Sequence, residues 1–431
     1  MTETLDTYLS EEMVGTLAAD DQGRMSFTYV NADCPPISIS LPPTATPYDD
    51  RACRPFFSGL LPEGAALERA ATQKRLQVYE TFKLLQSYGA ECAGAIRLLP
   101  VGTSPNIPTN YELLEGETLD KAIADISEVP IFARDSRARL SVAGVQLKTA
   151  VRVHKGAIYK PLAGSLSTHI VKVASADYPD LPQNEAFCMK LAERLGLDVA
   201  KVELREAGGK KFILVDRYDR ISGDESIRER HQEDFCQALG YVPARKYEMN
   251  DKGEKEGPGL EECFNLLNKT RAPALARQKF TKALAYNYLI ANADAHAKNY
   301  SLVYGENVRA PELAPLYDLV CTRIYKGLTT DLAMRCGSTS DPEAVSKSDW
   351  EAVAKVAGIR FSYVHEMINE IATTILPKAQ ELRAELGYFN AENIIRVIGD
   401  RLRNLVAIFD MKIAVDVSPY IESAPGWKLP S

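Results

Sequence analysis

Hydrophobic positions alternate in the first third of the chain and recur at helical spacing in the last. Residues 13–17 and 25–30 are short β-prone runs on either side of the turn-forming stretch 20–24, which predicts a hairpin. A Pro-rich passage and the run F-F-S-G-L-L-P-E-G at 56–64 follow. Val78, Phe82 and Leu85 then recur at spacings of four and three, predicting a helix. These residues read as a small α+β unit, closed by linker-like sequence at 101–108. Strands are predicted at 141–151, 170–173 and 212–215, with one helix between the last two. Pro182 precedes that helix, Asn184 is its expected N-cap, Phe187, Leu191 and Leu195 form one stripe, and Gly196 is its stop. Beyond 231 the pattern is helical: an amphipathic helix over 280–292, another over 364–376, and one over 394–409. No internal repeat is visible. The expected class is α+β, a sheet-rich lobe followed by a larger helical lobe.

Composition narrows the possibilities. The 431 residues are 45% apolar and 25% charged with 24 Pro and 26 Gly, which excludes a largely disordered or fibrous chain and implies two or three packed units. A net charge of -7 argues against binding nucleic acid by bulk charge alone and leaves a local basic patch open. The N-terminal residues lack a basic, apolar leader, and no run reaches the roughly 18 apolar residues of a membrane span, so a cytoplasmic protein without a membrane role is expected. Eight scattered cysteines without a C-x-x-C pair and five dispersed histidines give no zinc site; buried free thiols are expected rather than disulfides or a nucleophile.

Candidate chemistry begins with N-A-D-A-H-A-K-N at 292–299, which puts Asp294 and Asn299 five apart in a post-helix loop. Kinase catalytic loops use this D-x-x-x-x-N spacing, the Asp orienting the acceptor hydroxyl and the Asn oxygen holding magnesium, although the spacing alone recurs by chance. Segments 300–304 and 312–316 flank G-E-N at 305–307 as a hairpin, which would return Asp318 to the neighbourhood of Asn299. A carboxylate and an amide suit magnesium; Asp318 reads equally well as a cap or turn residue. Lys172 sits in a β-branched strand with Val171 and Val173 on the opposite face, and Glu185 is placed to pair with it, or to serve only the helix dipole. L-S-V-A-G-V-Q-L-K-T at 140–149 reads as strand, small-residue turn and strand whose amides would cradle phosphates; with a single glycine it is neither G-x-G-x-x-G nor a Walker loop, and an ordinary hairpin is the other reading. The order of these signals is that of a two-lobed kinase, with D-R-Y-D-R at 216–220 where such chains cross between lobes.

Together with F-S-G-L-L-P at 57–62, T-H-I-V-K at 168–172, N-E at 184–185, Q-E-D-F-C-Q at 232–237 and L-Y-D at 316–318, these segments resemble the HipA toxin kinases of bacterial type II toxin-antitoxin modules. The resemblance implies a two-lobed protein-kinase-like fold: an extra N-terminal subdomain at 1–105, a sheet-rich kinase N-lobe with phosphate loop, lysine strand and hinge at 106–230, and an all-helical C-lobe at 231–431. It implies ATP contacts from Ala143, Gly144, Val145, Gln146, Leu147, Lys148, Lys172, Asp216, Arg217, Tyr218, His296, Ala297, Lys298, Asn299, Tyr317 and Asp318. Asp294 becomes the catalytic residue, Asn299 and Asp318 the Mg2+ ligands, and Ser141 the site of an inactivating autophosphorylation. The implied activity is a serine/threonine protein kinase acting on an aminoacyl-tRNA synthetase, such as the glutamate enzyme, to arrest translation. A HipB-type helix-turn-helix antitoxin would neutralise it and carry it to operator DNA. Two alternatives stand beside it: a catalytically silent nucleotide-binding co-repressor and an aminoglycoside-like small-molecule phosphotransferase. The sequence departs from some relatives at Asp216 and Tyr218, where Glu and Phe occur, and at Leu147, where an acidic residue is frequent.

Overall fold

In the first sheet the strands over 12–19 and 25–29 alternate between buried and more exposed positions, while those over 3–9 and 96–100 are buried on both faces along four residues. The computed structural model describes residues 3–106, 109–127, 147–162, 164–175, 177–223, 226–305, 310–388 and 390–411. Strands β1 (Glu3–Leu9), β2 (Glu12–Ala19) and β3 (Met25–Tyr29) form an antiparallel meander, and β4 (Ile96–Pro100) pairs with β1, giving the order β3-β2-β1-β4. Helices α1 (Asp50–Gly59), α2 (Gly64–Lys74) and α3 (Thr81–Tyr88) complete the unit. Leu5, Leu17 and Phe27 of the sheet pack with Phe56, Phe57, Phe82 and Leu85 of the helices in one hydrophobic cluster. The helical spacing seen in the sequence holds for Phe82 and Leu85 but not for Val78. That residue lies ahead of α3, exposed, in a turn where the Glu80 carboxylate accepts the Gln77 N–H at 2.8 Å.

The second sheet contains β5 (Asn110–Leu114), β6 (Leu147–His154), β7 (Ala157–Leu162), β8 (His169–Val173), β9 (Val202–Ala207) and β10 (Lys210–Asp216) in the order β5-β7-β6-β8-β10-β9. Strands β5, β7 and β9 were not expected from the sequence. Helix α4 (Glu117–Ser127) covers one face, where Ile123 meets Val151, Val171, Val173, Phe212 and Leu214. Helix α5 (Leu181–Arg194) covers the other, packing Phe187 and Leu191 with Ile213 and Val215. The pleat therefore sends Val171 and Val173 toward α4 and Lys172 toward α5. Helix α5 starts three residues earlier than the expected cap: Asp180 is the N-cap position, Pro182 fits the first turn, and Asn184 lies inside the helix. Its buried amide instead exchanges hydrogen bonds of 2.9 Å with both backbone groups of Cys321. Gly196, just past the helix, has φ +77°, the left-handed conformation that glycine adopts without strain.

After a two-stranded ribbon of β11 (Arg220–Ser222) and β12 (Ile227–Glu229), the third region is helical apart from a three-stranded ribbon. That ribbon is β13 (Gln232–Asp234), β14 (Ser301–Val303) and β15 (Glu312–Leu313). Its helices are α6 (Phe235–Leu239), α7 (Leu260–Leu267), α8 (Pro273–Leu289), α9 (Lys347–Ala357), α10 (Phe361–Leu386) and α11 (Ala391–Phe409). Helix α8 is not the amphipathic helix expected over 280–292. It begins at Pro273, and the five consecutive residues Ala285, Tyr286, Asn287, Tyr288 and Leu289 are all buried, so its last turns are enclosed on every side within the largest core. All eight cysteines are buried and free. Among the described residues no helix is long and apolar enough to cross a membrane.

The N-terminal unit is tied to the rest by buried polar contacts. Arg217 and Arg220 gather Glu91 (2.6 and 3.0 Å) and Asp219 (2.8 and 3.0 Å), and Gly94 N–H donates to Asp219 at 2.7 Å. Glu233 of β13 accepts from Ser38 Oγ (2.5 Å), Ile39 N (3.0 Å) and Tyr304 Oη (2.6 Å). Burial outweighs these donors and pushes its carboxyl up to about 7. A carboxyl with a higher pKa in the fold than its ordinary 4.5 contributes stability in full below that ordinary value and loses it as pH rises through about 7. Glu233→Gln should therefore gain on the wild type between pH 5 and 8, by roughly 2 kcal/mol. Urea denaturation at the two pH values checks this; a stability difference independent of pH contradicts it.

Candidate active site

The site is built where β8, α5 and two loops of the helical region meet. Lys172 Nζ, on the α5 face of β8, donates to Glu185 Oε1 at 2.6 Å and also pairs with the Asp318 carboxylate. Burial alone would push this ammonium's pKa down; Asp318 and Glu185 together reverse that and hold it above its ordinary value, so the lysine is charged. Asp318 shows the converse balance: burial would raise it, and Lys172 with Lys148 holds it down at about 2. Lys148 stands directly opposite Lys172 in the β6–β8 register, so two like charges share one face of the sheet beside the carboxylates. Asp318 has φ +54°, a left-handed conformation that Asp tolerates better than most residues and that the surrounding bonds must hold.

Asp294 enters from the loop after α8. The chain leaves the helix through Ala291 at φ +50°, and Asn292 then fastens the loop. Its side chain accepts Asp294 N–H at 3.1 Å and donates to Asn287 Oδ1 at 2.8 Å and to the Asp318 carbonyl at 3.3 Å. The loops carrying Asp294 and Asp318 are thus joined through one buried amide. The Asp294 carboxylate accepts the Tyr247 hydroxyl and lies 3.7 Å from His296 Nε2. His296 is 1% exposed, its ring nitrogens have no hydrogen-bond partner among the described residues, and burial drives its pKa well below the ordinary range, leaving a neutral ring. Asn299 Nδ2 donates to the Asp294 carbonyl at 2.8 Å, which fixes the amide and leaves Oδ1 as its remaining acceptor.

The structure brings Lys172, Glu185 and Asp318 into direct contact, and places Asp294, His296 and Asn299 in one loop bonded to the Asp318 backbone through Asn292. The hinge residues are committed elsewhere. Asp216 pairs with His169 at 2.8 Å, and the Arg217 side chain is spent on Glu91, Ser167, Asp219 and the Cys92 carbonyl, which removes its guanidinium from any nucleotide. Tyr218 bonds Gln232 and stacks on Tyr317 at 5.9 Å, and Tyr317 Oη donates to the Lys298 carbonyl at 2.8 Å, linking the segment 216–220 to the loop of Asp294. Leu147 is buried and Ala297 is enclosed in the helical core, so each can offer little beyond its backbone. Ser141, Ala143, Gly144, Val145 and Gln146 lie outside the described residues. Sequence reasoning missed Tyr247, Asn292, Lys246, Asp234 and Glu63. Asp234, Asn292 and Glu63 lie inside the segments 232–237, 292–299 and 56–64; Tyr247 and Lys246 carry no local signal.

Among the described residues no three or more His, Cys, Asp or Glu side chains are arranged to hold a metal. Asn299 and Asp318 instead offer hard oxygen donors, a set that suits a magnesium ion completed by water and phosphate oxygens.

A strand lysine bound to a helix glutamate, facing an Asp/Asn loop and a second acidic loop across a two-lobed body, defines a protein-kinase-like fold. The family models agree: one described as the HipA-like C-terminal domain matches residues 140–379, and one described as the HipA N-terminal domain matches residues 5–99. "Putative kinase Y4mE" of Sinorhizobium fredii is 38% identical over 381 residues, covering 85% of this chain and 89% of that protein. The serine/threonine-protein kinase toxin HipA of Shewanella oneidensis is 34% identical over 388 residues, covering 87% and 88%. A solved complex of HipA, HipB and operator DNA from Shewanella oneidensis MR-1 superposes with a TM-score of 0.84 at 28% identity, covering 95% of this chain and 100% of that one. The chain belongs to the HipA family of serine/threonine kinase toxins.

Because Lys172 and Glu185 are 5% and 0% exposed, removing one partner leaves a buried group poorly compensated. Glu185→Gln should cost about 3 kcal/mol of stability, measured by denaturant unfolding. A loss below about 0.5 kcal/mol would mean that Asp318 alone satisfies the lysine.

Proposed function

We propose that this chain is an ATP- and Mg2+-dependent serine/threonine protein kinase. The single observation that carries this reading is Lys172 held between Glu185 of a helix and Asp318 of a loop, beside the loop of Asp294. Lys172 has two carboxylate partners, so phosphate oxygens can take the place of Asp318 while Glu185 keeps the ammonium oriented. Lys148, opposite it on β6, supplies a second cation for the same phosphates. Asn299 and Asp318 would hold the metal ion, which supplies charge neutralisation for the transferred phosphoryl group. Asp294 then accepts and orients the acceptor hydroxyl, its carboxylate steered by Tyr247.

The acceptor in this proposal is a protein, an aminoacyl-tRNA synthetase such as the glutamate enzyme, whose modification would arrest translation. Ser141 is proposed as an autophosphorylation site: added negative charge beside a phosphate-binding loop repels nucleotide. The HipA of Shewanella oneidensis was solved with HipB and operator DNA, which supports a HipB-type antitoxin as partner here. With a net charge of -7 the chain would reach DNA through that partner rather than by itself.

Asp294→Asn should lower phosphate transfer from labelled ATP by roughly a thousandfold with the fold intact. Incubation of wild type and variant with labelled ATP and Mg2+, followed by mass mapping of Ser141, checks both points. Full transfer by the variant contradicts the role of Asp294, and a wild-type protein that consumes ATP only with a free aminoglycoside or sugar contradicts the protein-kinase reading.

A further inference from the structure

The N-terminal unit sends one carboxylate into the catalytic loop. Glu63 occupies the N-cap position of α2, yet its side chain makes no capping bond to that helix. It reaches across the seam instead: Oε2 accepts from Lys246 Nζ at 2.8 Å, and Oε1 lies 3.5 Å from Lys298 Nζ. Lys298 immediately precedes Asn299 and is held from its other side by Asp234 at 2.6 Å. Lys246 supports the same loop through its backbone, its carbonyl accepting Ala297 N–H at 3.2 Å, and its neighbour Tyr247 donates to Asp294. The lysines are each 11% exposed, so water screens these attractions weakly. Burial would raise the Glu63 carboxyl, but Lys298 and Lys246 draw it down to about 2, so it is ionised throughout the physiological range.

The seam is shaped to put Glu63 there. Asp234 caps α6 in a reciprocal pair with Gln237, and Gln237 Nε2 donates to the Phe56 carbonyl at 3.0 Å. A Cβ on Gly59 would meet Gln237 Cγ at 2.7 Å, so the absent side chain lets α1 and α6 approach. The run F-F-S-G-L-L-P-E at 56–63 thus has one part that docks, Phe56 to Gly59, and one part that reaches the lysines, Glu63.

We infer that Glu63 is a positioning residue for phosphoryl transfer: from outside the kinase lobes, it holds Lys298 and Lys246 in place beside Asp294 and Asn299. The inference rests on the kinase reading above. Without Glu63, Lys298 would relax onto Asp234 and Lys246 would lose its carboxylate partner from the N-terminal unit, loosening the loop that both support. Glu63 acts through these lysines, so its loss should lower the rate of transfer rather than the affinity for nucleotide.

The test compares the full-length wild type, Glu63→Gln and Glu63→Asp. The rate of γ-phosphate release and transfer from labelled ATP is followed against ATP concentration in the presence of Mg2+. The maximum rate should fall roughly tenfold in Glu63→Gln with the half-saturating ATP concentration within about twofold of wild type, and Glu63→Asp should recover most of the loss. A maximum rate in Glu63→Gln that is unchanged or higher overturns the inference, as does a loss carried by half-saturation alone or an equal loss in both variants. A wild type that consumes no ATP instead removes the kinase reading, and the inference with it; the two failures are therefore distinguishable.

Discussion

A charged lysine enclosed by protein needs opposite charge within reach, and Lys172 has two carboxylates from two different parts of the chain. Glu185 comes from the helix that covers the second sheet, and Asp318 from the loop beyond β15. Glu185 belongs to the same lobe as Lys172 and Asp318 to the other, so the second carboxylate reaches the lysine only when the lobes are set against each other. Because Lys148 stands across the register from Lys172, the neighbourhood is balanced by Asp318 and has positive charge to offer once an anion draws Asp318 away. The same ion pair therefore joins the two lobes and, in the proposed function, is where phosphate would enter.

The rest of the structure makes that juxtaposition rigid. Helix α8, enclosed on every side over its last turns, anchors the loop of Asp294, and Asn292 stitches this loop to the backbone of Asp318. Asn184, one residue before Glu185, grips the backbone of Cys321, three residues past Asp318. Glu185 and Asp318 are thus held by the same helix-to-loop clasp. The N-terminal unit adds a second clasp through Glu91 with the arginines of D-R-Y-D-R, Glu233 with residues 38 and 39, and Glu63 with two lysines.

What was legible in the sequence was local. The D-x-x-x-x-N loop, the hairpin return to Asp318 and the strand lysine between two valines each depend on spacing within a few residues, and periodicity carries that information. Helix α8 was misjudged because its last turns are buried on every side, which erases the stripe that marks an amphipathic helix. The start of α5 was misplaced because Asn184 looks like a cap when its partner at Cys321, 137 residues away, is unknown. Strands β7 and β9 are short and mixed in burial, so they lack a clean alternation. Tyr247 and Glu63 could not be assigned roles at all, since their partners lie 47 and 183 residues away and only the packed fold brings them together. Arg217 shows how a motif position can serve two ends: its side chain enters the seam between units, so only its backbone remains for the nucleotide contact expected of 216–218.

Equilibrium binding of ATP, measured by calorimetry with and without Mg2+ for the wild type and Lys172→Met, tests the account at its centre. The predicted result is wild-type binding that tightens with Mg2+ and weakens tenfold or more in a folded Lys172→Met protein, roughly the worth of one charge-assisted contact. Equal affinity in the two proteins would place the nucleotide somewhere other than the cleft between Glu185 and Asp318, and would contradict the account.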